Sequence, residues 1–316
     1  MAKKFTIVDV FAERRYSGNQ LAVVEADGTE STADLQAIAR EFGFSETVFL
    51  LPGSPISEGE VADRASDSTG VSVRIFTPAN ELPFAGHPTI GAAWVIRHGM
   101  TSADAADANH ALPAEIILQE GVGPIRTWFE GEGPDATVWM QQNQPEFGAT
   151  YDAAAAAASL SLQAGDVDDS LFVEHVSTGI PFLIVPLASL DALKRARADL
   201  HALKDLFGDD ATVPLLLFTR GAEEPGHDIR ARMFAAEYGI AEDPATGSAN
   251  GCLAGYFVRH GVFPDTPLRV AVEQGYEMGR PSVLYLEAEQ DRSDADAGIT
   301  VRVGGRVQLV ATGELA

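Results

Sequence analysis

Glu242-Asp243-Pro244-Ala245-Thr246-Gly247-Ser248-Ala249-Asn250-Gly251 runs directly into Cys252-Leu253-Ala254-Gly255-Tyr256-Phe257-Val258. The first half of this stretch is polar and turn-forming, and the second half is apolar on every face. The Asp-Pro step disfavours helix, and the Thr, Gly and Ser that follow supply a helix start. A helix without a polar face has to be buried, so its N-terminus is presented from inside the domain with its first N–H groups unpaired by the helix itself. Those donors and the positive end of the helix dipole make an anion-binding arrangement, with the Ser248 hydroxyl and the Asp243 carboxylate nearby. Gly251 and Gly255 inside such a helix cost about 1 kcal/mol each in helix propensity and imply close backbone packing.

The same pattern occurs earlier in the chain. Glu81-Leu82-Pro83-Phe84-Ala85-Gly86-His87-Pro88-Thr89-Ile90 leads into Gly91-Ala92-Ala93-Trp94-Val95-Ile96, again apolar all round. Both helices close on one tripeptide, Arg97-His98-Gly99 and Arg259-His260-Gly261. Each follows a strand that ends in Phe, Val71-Ser72-Val73-Arg74-Ile75-Phe76 and Asp228-Ile229-Arg230-Ala231-Arg232-Met233-Phe234. The chain therefore reads as an internal duplication.

With 316 residues the chain has room for two domains, each with its own core, and 46% hydrophobic with 22% charged residues describes a soluble globular protein. A net charge of −24 argues against nucleic acid or an anionic membrane surface as partner. Most of the acid falls in expected loops at 57–68, 103–107 and 291–296, which is the pattern of a solvated surface. The single Cys252 rules out an intramolecular disulfide or a cysteine metal cluster, and its place in the second apolar helix is that of a small buried thiol. No apolar run reaches transmembrane length. Lys3-Lys4-Phe5-Thr6-Ile7-Val8-Asp9 is broken by Asp9 before a signal-peptide core could form, so the expected compartment is the cytoplasm.

Strands are expected at 5–11, 21–24, 44–51 and 71–76, with a helix begun by Ser31 or Thr32 and stopped by Gly43. Further strands are expected at 115–118, 125–129 and 137–140, followed by an alanine helix at 153–158. The second half then repeats the first: strands at 171–176 and 182–185, one helix from 190 to about 207, a strand at 213–218, and a strand-rich tail after the second apolar helix. The fold class this implies is α+β, two duplicated lobes, each a mostly antiparallel sheet rolled around a central buried helix. The lobes are placed at 1–117 and 118–316, with a C-terminal strand near 306–316 returning to the first. Gly121-Val122-Gly123 lacks the third glycine and following helix of a dinucleotide fingerprint. His98 and His260 read as structural helix ends, and His110, His175, His201 and His227 have no metal-building spacing.

Gly18-Asn19 before a strand, Ser45-Glu46-Thr47-Val48-Phe49, Phe76-Thr77-Pro78 with Glu81-Leu82-Pro83 and Gly86-His87-Pro88-Thr89, and Glu242-Asp243-Pro244-Ala245-Thr246-Gly247-Ser248-Ala249 occur here in that order. Together they resemble the PhzF family of phenazine biosynthesis-like proteins, over essentially the whole chain. The resemblance implies the diaminopimelate epimerase-like fold, with two similar lobes and a site in the cleft between them, a homodimer, and no metal or organic cofactor. The epimerase relatives use a thiol pair at the two glycine-led helix starts. This chain has Ala85 and Thr246 at the matching places, and neither can take a proton from carbon.

By the same matching, Glu46 is the catalytic acid and base. His87, Asp243 and Ser248 hold the substrate and shuttle or polarise, and Gly86, Gly247, Thr246 and Asn19 complete the substrate-binding set. A carboxylate that opens an apolar strand is by default an exposed strand end, and the surrounding motif reverses that default. Desolvated in a closed site, it can take and return a proton near neutral pH. The dipole at a helix start favours a neutral His87, able to donate a hydrogen bond. Asp243 before proline is otherwise a turn residue, and Ser248 otherwise a helix cap. The expected activity is that of an isomerase, similar to trans-2,3-dihydro-3-hydroxyanthranilate isomerase, which moves a proton and double bond on a small, cyclic carboxylic acid. The alternatives are an amino- or hydroxy-acid epimerase or dehydratase of the same superfamily, and a small-molecule-binding or scaffold protein that kept the fold.

Overall fold

The structure, a computed structural model, describes residues 2–52, 69–99, 113–208, 213–235, 240–265, 267–290 and 298–316. The acidic segments expected as loops at 57–68, 103–107 and 291–296 lie outside the described residues, as does His110. In chain order the elements of the first half are β1 (Lys3–Val10), β2 (Asn19–Glu25), α1 (Thr32–Phe42), β3 (Glu46–Leu50), β4 (Thr69–Phe76), β5 (Glu81–Leu82), α2 (Gly86–Arg97), β6 (Glu115–Glu120), β7 (Gly123–Glu130) and β8 (Thr137–Gln141). There follow β9 (Glu146–Tyr151), α3 (Ala153–Ser159), β10 (Val173–Ser177), β11 (Pro181–Pro186), α4 (Leu190–Arg195), α5 (Leu200–Phe207), β12 (Leu215–Arg220), β13 (Ile229–Ala235) and β14 (Ile240–Asp243). The chain ends with α6 (Gly247–His260), β15 (Leu268–Gln274), β16 (Ser282–Gln290), β17 (Ile299–Gly305) and β18 (Val307–Leu315).

Two compact units result, residues 1–141 with 304–316, and residues 142–303. The first boundary therefore lies at 141 rather than 117. The physical reason is the ladder: β6 runs parallel to β4, and β7 and β8 follow it antiparallel, so the hydrogen bonds of the first sheet continue past residue 117. At the other side of the same sheet, β18 and β2 flank β1 antiparallel, β3 runs parallel to β2, and β4 runs antiparallel to β3.

The second unit has the same topology. β10 and β11 are antiparallel, β12 runs parallel to β11, β13 antiparallel to β12, β15 parallel to β13, and β16 antiparallel to β15. In each unit a short strand, β5 or β14, folds back on the Phe-ended strand just before the apolar helix. The outermost strand of the second sheet, β9 on β10, was not expected from sequence. Its Glu-Phe-Gly-Ala-Thr-Tyr carries no clean alternation, and only the ladder makes it a strand.

Each unit is organised around its apolar helix. In α2 every residue from Gly86 to Val95 is buried, and the helix packs on β1, β2, β3, β6, β7, β8 and β18. In α6 every residue from Gly247 to Phe257 is buried, against β10, β11, β15 and β16. Large side chains such as Ile90, Trp94, Leu253 and Phe257 are thereby removed from water, at roughly 1.5–3 kcal/mol each. Glycine lets the helices come this close. A methyl group on Gly91 would sit 2.4 Å from Leu21 Cδ2 and 2.9 Å from Val10 Cγ2, and one on Gly255 would sit 2.8 Å from Pro145 Cβ.

Helix α1 matches its sequence signals closely. Ser31 and Asp34 form a capping box, Gly43 ends the helix in the left-handed region, and Leu35 and Ala39 pack on Val24, Phe49 and Phe76. The single helix expected over 190–207 is instead two. Between α4 and α5 the Arg197 and Asp199 amides leave the helix to donate to the carbonyls of Leu160 and Ser159, and the Asp199 carboxylate then caps α5. Long-range backbone bonds have overridden local propensity there.

The close approach at Gly91 makes a signed prediction. Ala is the better helix former by about 1 kcal/mol. Gly91→Ala is nevertheless expected to destabilise the protein by about 1–3 kcal/mol through overpacking in urea denaturation, whereas a stabilised variant would show that the packing can give way.

Candidate active-site residues in each unit

In the first unit, β2 and β3 lie side by side and parallel, with Leu21 opposite Glu46. Asn19 opens β2 and Glu46 opens β3, so both side chains leave at the same end of the pair. His87 is the second residue of α2. The three meet: Asn19 Nδ2 lies 3.3 Å from His87 Nδ1, and His87 Nε2 lies 3.5 Å from Glu46 Oε2. All are withdrawn from water, with His87 4% exposed, Asn19 2% and the Glu46 side chain 13%. Glu46 is thus no exposed strand end.

Desolvation pushes the His87 pKa down to about 3, against a backbone hydrogen bond with Gln20 that acts in the other direction. The ring is therefore neutral near pH 7. Nδ1 faces Asn19 Nδ2, and Nε2 faces the Glu46 carboxyl. A neutral imidazole of this kind can donate a hydrogen bond or polarise a carbonyl. As a proton-transferring acid near neutral pH it is out of range.

In the second unit, Asp243 is the last residue of β14 and is 6% exposed, and its Oδ2 accepts a hydrogen bond from the Thr246 hydroxyl. Thr246 is the N-cap residue of α6, yet its side chain makes no capping bond. Ser248 does not cap the helix as expected. It lies two residues past the N-cap, second in α6 and 6% exposed, because the helix begins at Gly247. The N-cap residue of α2, Ala85, has no side-chain cap to give either. Neither N-cap residue thus uses its side chain on the first amides of its helix, and a helix start of this kind can take a ligand anion.

Gln274 is a site residue that sequence reading missed. Its Nε2 donates to the Asp243 carbonyl at 2.8 Å and to Thr246 Oγ1 at 3.1 Å, and its Oε1 accepts from Asn250 Nδ2 at 2.9 Å and from the Thr246 amide at 3.3 Å. One amide side chain therefore fixes the Asp243 to Asn250 turn. The available signal was a buried-type strand, Leu268 to Val272, that ends in a polar Gln just before Gly275.

Other candidates resolve as structural. Cys252 is fully buried and its thiol is pushed up to about 12, so it holds its proton. His98 stacks on Trp94, and its Nδ1 lies 2.9 Å from the Trp94 carbonyl, while His260 Nε2 sits 2.6 Å from Glu174 Oε2. Among the described residues no group of three or more His, Cys, Asp or Glu side chains is placed to hold a metal ion, and no helix is long and apolar enough to cross a membrane.

A family model described as phenazine biosynthesis-like protein matches residues 8–313. The trans-2,3-dihydro-3-hydroxyanthranilate isomerase of Pseudomonas fluorescens is 36% identical over 287 residues, 90% of each chain. An uncharacterised isomerase of Mesorhizobium japonicum is 32% identical over 99% of this chain and 98% of its own. Among solved structures, a PhzF family phenazine biosynthesis protein of Bacillus anthracis shares the fold with a TM-score of 0.83 at 23% identity, covering 100% of this chain and 99% of its own.

The state of His87 has a consequence for stability. Unfolded, the imidazole takes its proton near 6.5, and folded only near 3. Folding therefore excludes a proton, and stability is lost as pH falls from about 6.5 towards 3, by on the order of a few kcal/mol at the lower end. His87→Gln is expected to show a smaller drop in melting temperature between neutral pH and about pH 4 than the parent. An unchanged drop would mean that the ring is solvated.

Proposed function

We infer that this chain, which belongs to the PhzF family of phenazine biosynthesis-like proteins, is an isomerase that relocates a proton, and with it a double bond, within a small cyclic carboxylic acid of the trans-2,3-dihydro-3-hydroxyanthranilate type. The substrate class comes from the printed activity of the Pseudomonas fluorescens relative. The observation that carries the assignment of roles is the buried contact of the Glu46 carboxyl with the Nε2 side of a neutral His87.

The chemistry needs only one group that can take a proton and give it back. The Glu46 carboxylate removes a proton from carbon, the electron pair left behind shifts along the adjacent double bond, and the carboxylic acid so formed returns the proton to the far carbon. The electron count of the substrate does not change. The neutral His87 ring, held beside Asn19, contacts the substrate or the carboxyl through Nε2 and polarises it as charge develops, without competing for the proton. Gly86 supplies a backbone donor beside it. Asp243, Thr246, Gly247 and Ser248 are assigned to substrate contact through the α6 start. A two-thiol epimerase is disfavoured by Ala85 and Thr246, which stand as the N-cap residues of the two helices where that chemistry would need cysteines.

The test is Glu46→Gln assayed with trans-2,3-dihydro-3-hydroxyanthranilate in deuterated water. The amide keeps the shape and loses the base, so turnover should fall by at least about 10²-fold, with melting temperature and substrate binding nearly unchanged. Full activity in the amide variant would remove Glu46 from the mechanism.

A further inference from the structure

The duplication extends to residues that the reaction does not use. Counted from the helix starts Gly86 and Gly247, Thr89 matches Asn250, Ala85 matches Thr246 and Pro83 matches Pro244. Counted from the sheet, Glu120 ends β6 as Gln274 ends the equivalent β15, and a glycine follows each, Gly121 packed on Pro83 and Gly275 on Pro244. The hydrogen bonds match as well. Asn250 Nδ2 donates to the Thr246 carbonyl at 3.0 Å and touches Gln274 Oε1. Thr89 Oγ1 lies 2.8 Å from the Ala85 carbonyl and within hydrogen-bonding distance of Glu120 Oε1. Where the second unit uses a neutral amide, the first uses a carboxyl group.

We propose that Glu120 is a positioning residue that works as a neutral carboxylic acid and, through Thr89, fixes the first turn of α2, the turn that carries His87. The Thr89 hydroxyl has one proton to share between Glu120 Oε1 and the Ala85 carbonyl, which already accepts from the Thr89 amide. Asn250 has two amide protons and can serve both partners, so its partner can be a plain acceptor. Glu120 is 8% exposed, and its Oε2 is buried without a hydrogen-bond donor, a position that an ionised carboxylate would occupy at heavy cost.

Among the described residues no compensating charge faces Glu120. The charged groups that line the cavity of about 500 Å³ beside Glu120 are Arg74 on β4 and Glu81 on β5, and these two are joined by a bidentate pair of 2.7 Å bonds. On α2 Glu120 meets Thr89, and its register partner on β7 is Gly123. The same pair recurs as Arg232 and Glu242 in the second unit, so it belongs to the repeat and is not directed at Glu120. Burial accordingly pushes the Glu120 pKa up to about 8, with the Thr89 hydrogen bond as the smaller, opposing influence.

The sign of the pH effect follows. Unfolded, the group loses its proton near 4.5, and folded near 8, so stability falls as pH rises between these values and is level above them. Three readouts on Glu120→Gln and the parent test the proposal, and none requires knowledge of the substrate, so their failure is distinct from failure of the isomerase reading. The infrared difference between the two proteins near neutral pH should show the C=O stretch of a protonated carboxyl. The parent melting temperature should fall by roughly 5 °C more than that of the variant between about pH 5 and pH 9. The His87 ring signals in ¹⁵N NMR should shift in the parent as pH passes about 8, and stay still in the variant.

Carboxylate bands alone near neutral pH, parallel melting curves, or a His87 signal indifferent to the titration would each overturn the proposal. A Gln variant that does not fold would overturn it too, because a neutral amide is what the second unit carries at this place.

Discussion

A helix that is apolar on every face can be kept from water only by wrapping it, and this constraint runs through both halves of the chain. Each sheet curls around its helix, and at Gly91, Gly251 and Gly255 neighbouring atoms press on the helix backbone. The same burial creates the chemistry. A helix on the surface has its first amides met by water or by a capping side chain, but α2 and α6 begin inside, behind Ala85 and Thr246, which cap nothing. Polar residues gathered at those starts are therefore desolvated by the fold itself. Asn19, Glu46 and His87 at one start, and Asp243, Thr246 and Gln274 at the other, are the result.

Desolvation also decides which protonation states the first half can use. An imidazole beside a carboxylate is usually a charged pair, and on the surface His87 and Glu46 would be one. Inside, the charged imidazole is too costly, and the ring stays neutral. In the proposed reaction the carboxyl is the group whose proton moves, and the imidazole stays neutral beside it. The environment of Glu120 obeys the same rule, since a second buried acid near the same turn finds no cation among the described residues and is better accommodated with its proton on.

Much of this was legible in the residues, for reasons that can be named. The two central helices announce themselves because no amphipathic alternative exists for Gly91 to Ile96 or Cys252 to Val258. The strand before each is repeated down to Arg74 and Arg232, two places before a Phe, and the structure shows both guanidiniums paired to the matching glutamates, Glu81 and Glu242. Other features depended on contacts that no local pattern encodes. The break between α4 and α5 is made by the carbonyls of Ser159 and Leu160, distant in sequence. The reach of the first sheet to Gln141 depends on β6 pairing with β4. Glu120 and Gln274 escaped notice because they lie 34 and 27 positions after their helix starts, and the unequal spacing hides their equivalence until the strands are in register. Gly121 was visible, but as a fragment of a dinucleotide motif rather than as the counterpart of Gly275.

The central claim is that the reacting carbon meets Glu46 beside a neutral His87. A crystal structure with bound 3-hydroxyanthranilate tests it most directly. The account predicts a ring carbon of the ligand against the Glu46 carboxyl, with a ligand oxygen or the carboxyl itself within hydrogen-bonding distance of His87 Nε2. Ligand density elsewhere, with the Glu46 carboxyl turned to solvent and His87 bonded only to protein, would contradict it.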